Sequence, residues 1–111
     1  MLTKYGYIPP HQIASTKDYL RRSIFYLLLY VDPNERIKYP DVDVNEAFAH
    51  VFHQLVGFNK ILLEPPEILI TMNFLEAARE VYNSDDFDWH TYRKLILDAG
   101  SKIMDVEEGD G

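Results

Sequence analysis

Glu46, His50 and His53 form the one spacing in the chain that suits metal ligation. A carboxylate four residues before one imidazole and seven before another can share a side of a helix, a legitimate geometry for a tetrahedral or octahedral ion. A full coordination shell needs further ligands, and nothing in the sequence brings Asp88, His90 or Asp98 across to supply them. A polar or interfacial histidine pair flanking Phe52 explains the same residues. No metal or other cofactor is therefore expected, and metal binding through Glu46, His50 and His53 stands as an alternative.

Asp85, Asp86 and Asp88 crowd oxygen atoms into a turn, but a calcium loop also requires a tight glycine and a later bidentate glutamate. Helix capping fits them better. Glu76 and Glu80 flank Arg79 without the Glu-x-x-His repeats of a di-iron bundle. Serines stand at 15, 23, 84 and 101, none in a nucleophile elbow, and the glycines never cluster ahead of a lysine as a phosphate loop demands. Cysteine is absent, which removes disulfides, thiol catalysis and thiolate metal sites. The chain is thus expected to be non-enzymatic, with no catalytic residue assigned.

Lys17 and Arg21 lie four apart beside Arg22 and could touch phosphate, giving weak nucleic-acid binding as a second alternative. Charge opposes it. Residues 1–40 hold six basic against three acidic groups, and residues 41–111 hold five against fifteen, within a net charge of −7. Most of the surface would repel a phosphate backbone.

Aromatic content points elsewhere. Eight tyrosines, six phenylalanines and one tryptophan occupy 111 residues, and Tyr5, Tyr7, Tyr19, Tyr26, Tyr30 and Tyr39 crowd the first forty. Four inner helix stripes do not need so many. Tyrosine is amphipathic and common where proteins meet. Tyr5, Tyr7, Ile8, Phe25, Tyr26, Leu29 and Tyr30 are therefore the candidate protein interface, in a protein-protein interaction module, assembly factor or structural subunit.

The elements that must position these residues follow from periodicity. Residues 1–14, with Pro9-Pro10, read as an extended N-terminal arm. A first helix is expected from Ser15, with Asp18 as a capping-box variant, to Val31, where Asp32-Pro33-Asn34 ends it. Tyr19, Leu20, Ile24, Leu27, Leu28 and Val31 line one face of it. Phe25, Tyr26, Leu29 and Tyr30 spread apolar surface round the rest. After a loop over 32–42, in which Arg36–Tyr39 has room for a short extended stretch, Asp43 and Glu46 open a second helix. Its stripe is Val44, Phe48, Val51, Leu55, Phe58 and Leu62, with Gly57 marking a close crossing or a kink.

A third helix runs from Pro66 to Tyr82, with Ile68, Met72, Leu75, Ala78 and Tyr82 inward. Asp88 caps a fourth, whose face is Trp89, Tyr92, Ile96, Ala99 and Ile103. The acidic tail, residues 105–111, is expected to be disordered. The expected fold is all-α: a compact bundle of about four helices over residues 15–104, with the arm before it and the tail after it. The longest apolar run, Ile24 to Val31, is too short to span a bilayer, and the N-terminus has no signal-peptide pattern. A cytoplasmic location is the expectation. The expected partner is a protein, including a second copy of the chain as a homodimer or higher closed oligomer. In such an assembly Tyr26, Leu29 and Tyr30 would be buried between chains, with each arm lying across its neighbour.

Overall fold

Proline placement decides where the first helix begins. Pro9 is extended (φ −60°, ψ 145°) and Pro10 occupies the first helical turn, so α1 runs Pro10–Leu29. A proline there needs no hydrogen-bond donor and arrives with its φ already helical. This corrects the expected start at Ser15. Residues 10–14 are helix rather than arm, and Ile13 is core. Asp18 caps nothing; it pairs with Arg21 and Arg22 one turn on.

The computed structural model describes residues 2–3 and 6–108, with side chains from residue 6 onward. What remains of the arm includes a small antiparallel hairpin. Its strands are β1 (Leu2–Thr3) and β2 (Gly6–Tyr7), with Leu2 opposite Tyr7 and Thr3 opposite Gly6. Gly6 has a φ of 111°, a conformation that side chains rarely adopt. Beyond α1, Arg36–Lys38 form one 3-10 turn and not the extended stretch. The Asp32 carbonyl accepts from the Glu35 and Arg36 amides, which winds the segment tightly.

The second helix, α2, spans Val44–Ile61, and Asp43 caps it by accepting the Glu46 amide at 3.2 Å. Helix α3 spans Pro66–Asn83, again with proline in its first turn. Helix α4 spans Trp89–Ile103, and Asp88 accepts the His90 amide at 3.1 Å and the Thr91 hydroxyl at 2.6 Å. That double use of one carboxylate holds the Asp88 pKa down, the Thr91 bond contributing most. Asp88 is thus a helix cap, as the spacing implied.

The four helices close a ring: α1 packs on α2, α2 on α3, α3 on α4, and α4 back on α1. The molecule measures 44 × 24 × 19 Å. All six positions of the expected α2 stripe are buried. On α3, Ile68, Leu75 and Ala78 are buried while Met72 and Tyr82 are half-buried; on α4, Tyr92, Ile96, Ala99 and Ile103 are buried and Trp89 is half-buried. Tyr19 departs from the expected inner face and is half-exposed. No helix among the described residues is long and apolar enough to cross a membrane.

The start of the tail is also corrected. Val106 is 1% exposed, and its carbonyl accepts a 2.6 Å hydrogen bond from Lys17 Nζ. Residues 105–108 therefore continue the fold, because Val106 finds an apolar seat and its carbonyl a cation. Residues 109–111 lie outside the described residues.

Candidate protein-docking face

Helix α1 divides its apolar residues among three directions. Ile13, Leu20, Ile24, Leu27 and Leu28 enter the core. At 100° per residue, Tyr19, Tyr26 and Tyr30 fall toward α2, and Phe25 falls toward α4 with Leu29 one turn on. Contacts agree with this division. The Tyr19 hydroxyl accepts from Gln54 Nε2 of α2 at 3.1 Å, whereas Phe25 lines one groove with Leu97 of α4 and Met104 at its C-terminal cap. Phe25 and Tyr26 remain 44% and 45% exposed, and Leu29 and Tyr30 are half-buried.

A third tyrosine completes this surface. Tyr39, delivered by the loop between α1 and α2, meets the Tyr30 ring edge-on at 5.1 Å and the Tyr26 ring at 6.5 Å. Tyr26 and Tyr30 stack at 5.9 Å. Offset and edge-on rings bring the electropositive rim of one to the electronegative face of another. Partial burial raises the Tyr30 pKa above its ordinary value, with Tyr39 and then Tyr26 adding to the rise. Tyr39 was not among the expected interface residues. Its signal was a bulky aromatic in a short loop just before Pro40.

The arm does not reach this surface among the described residues. Tyr7 is exposed, and Ile8 half-buried, at the N-terminal end of α1. Ile8 borders a hollow of about 380 Å³ with Tyr19, Leu20, Gln54, Gly57 and Phe58. From Pro10 to Tyr26 the helix rises about 24 Å, so the structure separates Tyr7 and Ile8 from the Tyr26 cluster. Tyr5 lies outside the described residues.

Between α1 and α4 runs a groove of about 370 Å³. Ile24, Ile96 and Gly100 border it low down, and Phe25, Leu97 and Met104 stand along it. A Cβ added at Gly100 would meet Arg21 Cγ at 3.9 Å and Ile24 Cγ2 at 4.0 Å, both ordinary contacts. The groove's shape thus depends on side chains, and a larger residue at 100 would fill it.

Other candidate residues come apart. Glu46, His50 and His53 are exposed on the outer side of α2, and no group of three or more potential ligands among the described residues is placed to hold a metal ion. Lys17, Arg21 and Arg22 do not form one open cationic face. Lys17 is 5% exposed and bound to the Val106 carbonyl, with Glu108 at 3.9 Å. Arg21 and Arg22 share Asp18 at 3.1 and 3.4 Å.

Much of the aromatic load is internal. Tyr92 gathers Phe48, Tyr82, Phe87 and Trp89 around it at ring separations of 5.9 to 6.4 Å. The surplus that faces outward is concentrated on α1. In comparisons with known proteins, the chain matches no family model, no curated protein and no solved structure.

Proposed function

We propose that the chain is a non-catalytic protein-protein interaction module, an assembly or structural subunit, whose docking face is the outer side of α1. The observation that carries this reading is the pair Phe25 and Tyr26, both nearly half-exposed on a helix whose inner face already fills the core. Leu29 and Tyr30 extend the patch, and Tyr39 braces it from one side. Covering what remains of Phe25 and Tyr26 would contribute on the order of 1 kcal/mol each. Aromatic side chains do so with few rotatable bonds to immobilise.

A second copy is the proposed occupant, giving a homodimer or higher closed oligomer. Tyr39 of the same chain stands beside Tyr26 and Tyr30 and joins the residues first expected at the interface. Sedimentation of the wild-type chain at tens of micromolar should give a closed oligomer. The double variant Tyr26→Glu, Leu29→Glu should give a monomer with its helical circular dichroism retained. A wild-type chain that sediments as a monomer at those concentrations would overturn self-association.

A further inference from the structure

We propose that the outer side of α3 is the surface on which the outer side of α1 from a second copy docks, so that copies join head to tail. This rests on the self-association reading above and selects its higher closed oligomer over the homodimer.

The two faces stand at opposite corners of the bundle. The ring of packed pairs sets α1 and α3 diagonally across the core, so their outer sides point away from each other. On α3, Ile68, Thr71, Leu75 and Ala78 turn inward. At 100° per residue, Leu69, Asn73, Glu76 and Glu80 then fall in one outward row. All four are exposed, Leu69 by 56%, and Ile70 beside it by 37%. An aliphatic pair thus stands toward the N-terminal end of α3 and two carboxylates toward its C-terminal end. On α1, Arg22 points straight out from the core, with Tyr26 and Leu29 one and two turns on, to either side of its line.

Spacing and charge bring the two rows together. Arg22 and Leu29 are seven residues apart, as are Leu69 and Glu76, or about 10 Å along each helix. Laid antiparallel, Arg22 meets Glu76 when Leu29 meets Leu69, and Tyr26 lies beside Asn73, an amide partner for its hydroxyl. Asp18 is shared by Arg21 and Arg22, which leaves one positive charge over on α1. Arg79 pairs with Glu76, and no ion pair reaches Glu80 among the described residues, which leaves one negative charge over on α3. Joined, the rows set three arginines against three carboxylates. The acidic groups after α4 stand apart from this contact. Asp105 pairs with Lys102, and Glu108 lies toward Lys17 on the α4 flank of α1.

A symmetric contact between two α1 faces would leave Leu69 and Ile70 in water. Diagonal placement also prevents one partner from covering both faces of a copy. Each copy therefore gives its α1 face to one neighbour and its α3 face to another, a heterologous contact that ends in a ring when the rotation closes.

Sedimentation of the full chain at tens of micromolar is the test, with helical circular dichroism recorded on every variant. Wild type should run larger than a dimer. Leu69→Asp, Arg22→Glu and Glu76→Arg, all at exposed positions, should each run as a monomer with the helical signal retained. An equimolar mixture of Arg22→Glu and Glu76→Arg should assemble again, because reversed charges meet across one contact and native charges across the next. Leu69→Asp mixed with the Tyr26→Glu, Leu29→Glu variant should stop at a one-to-one pair, since each keeps a single working face. A wild-type homodimer that Leu69→Asp leaves intact would overturn the proposal and keep α1 as a two-fold contact. A charge-reversed mixture that stays monomeric would also overturn it. A monomeric wild type would remove both this inference and the self-association beneath it.

Discussion

Tyr92 joins the end of α1 to the start of α4. It is fully buried, and its hydroxyl donates a 2.6 Å hydrogen bond to the Leu27 carbonyl. That carbonyl belongs to the last turn of α1, where partners run out. The Val31 amide turns to the Leu28 carbonyl instead. Tyr92 therefore ties the end of one helix to the start of another while its ring centres the aromatic cluster. Tyr92→Phe keeps the ring and orphans the carbonyl, which should cost about 1–2 kcal/mol in urea unfolding at neutral pH. Burial raises the Tyr92 pKa far above its ordinary value of 10.0, with Tyr82 adding a smaller rise. A tyrosine whose folded pKa exceeds its unfolded one contributes stability that is fully present below about pH 10 and lost as pH rises beyond it. Wild-type stability should fall steeply above pH 10, and the phenylalanine variant should fall less. Equal slopes would contradict this. The stripe at Trp89, Tyr92 and Ile96 made Tyr92 a core position from sequence. Its hydroxyl partner, 65 residues away, had no sequence signal.

At the scale of elements, the junction between α2 and α3 holds local strain. Leu63 and Glu64 have φ values of 63° and 59°, left-handed conformations in two non-glycine residues running. The Glu64 amide reaches back to the Asn59 carbonyl at 2.8 Å and closes the end of α2 before Pro65-Pro66 open α3. Leu63 is exposed, so little burial repays its conformation. Leu63→Gly should stabilise the protein by roughly 0.5–1 kcal/mol. Gly57 teaches the opposite lesson. The helix passes through it without interruption, and an added Cβ would meet nothing within 4 Å. It is neither a kink nor a close crossing, so Gly57→Ala should stabilise by up to about 1 kcal/mol. Thermal melts of both variants check the pair, and a lowered Tm in either would refute its assignment.

Across the whole molecule, the return of α4 to α1 closes the ring, and Lys17 fastens its far end. The ammonium lies in the interior near the C-terminal end of α4, where carbonyl dipoles favour a cation. It holds the Val106 carbonyl directly and has Glu108 at 3.9 Å. Lys17→Met should cost about 1–2 kcal/mol in urea unfolding, since the buried Val106 carbonyl loses its donor. The local effect should be larger: exchange should quicken more at the amides of residues 104–108 than at those of α2. Unchanged exchange at 104–108 would show that Val106 packing alone holds the segment. The ring also explains where the outward apolar surface lies. α1 packs on both α2 and α4, and its flanking aromatics, Tyr19 and Tyr26 toward α2 and Phe25 toward α4, are left only half covered.

Periodicity and capping chemistry were sufficient to determine four helices, most of their inner faces, and the caps at Asp43 and Asp88. These features depend on neighbours within one or two turns, so the chain order itself carries them. The start of α1 at Pro10 was also within reach, because the rule that placed Pro66 in a first turn applies there equally. Tertiary structure alone decided the rest. Lys17 reads as a surface cation until Val106 arrives from the other end of the chain. Tyr39 reads as a loop residue until the 3-10 turn swings it onto Tyr26 and Tyr30. The groove beside Gly100 exists only because two antiparallel walls meet there. Each of these depends on groups far apart in sequence, whose meeting is set by how four faces close around one core, and no local pattern of residues encodes that closure.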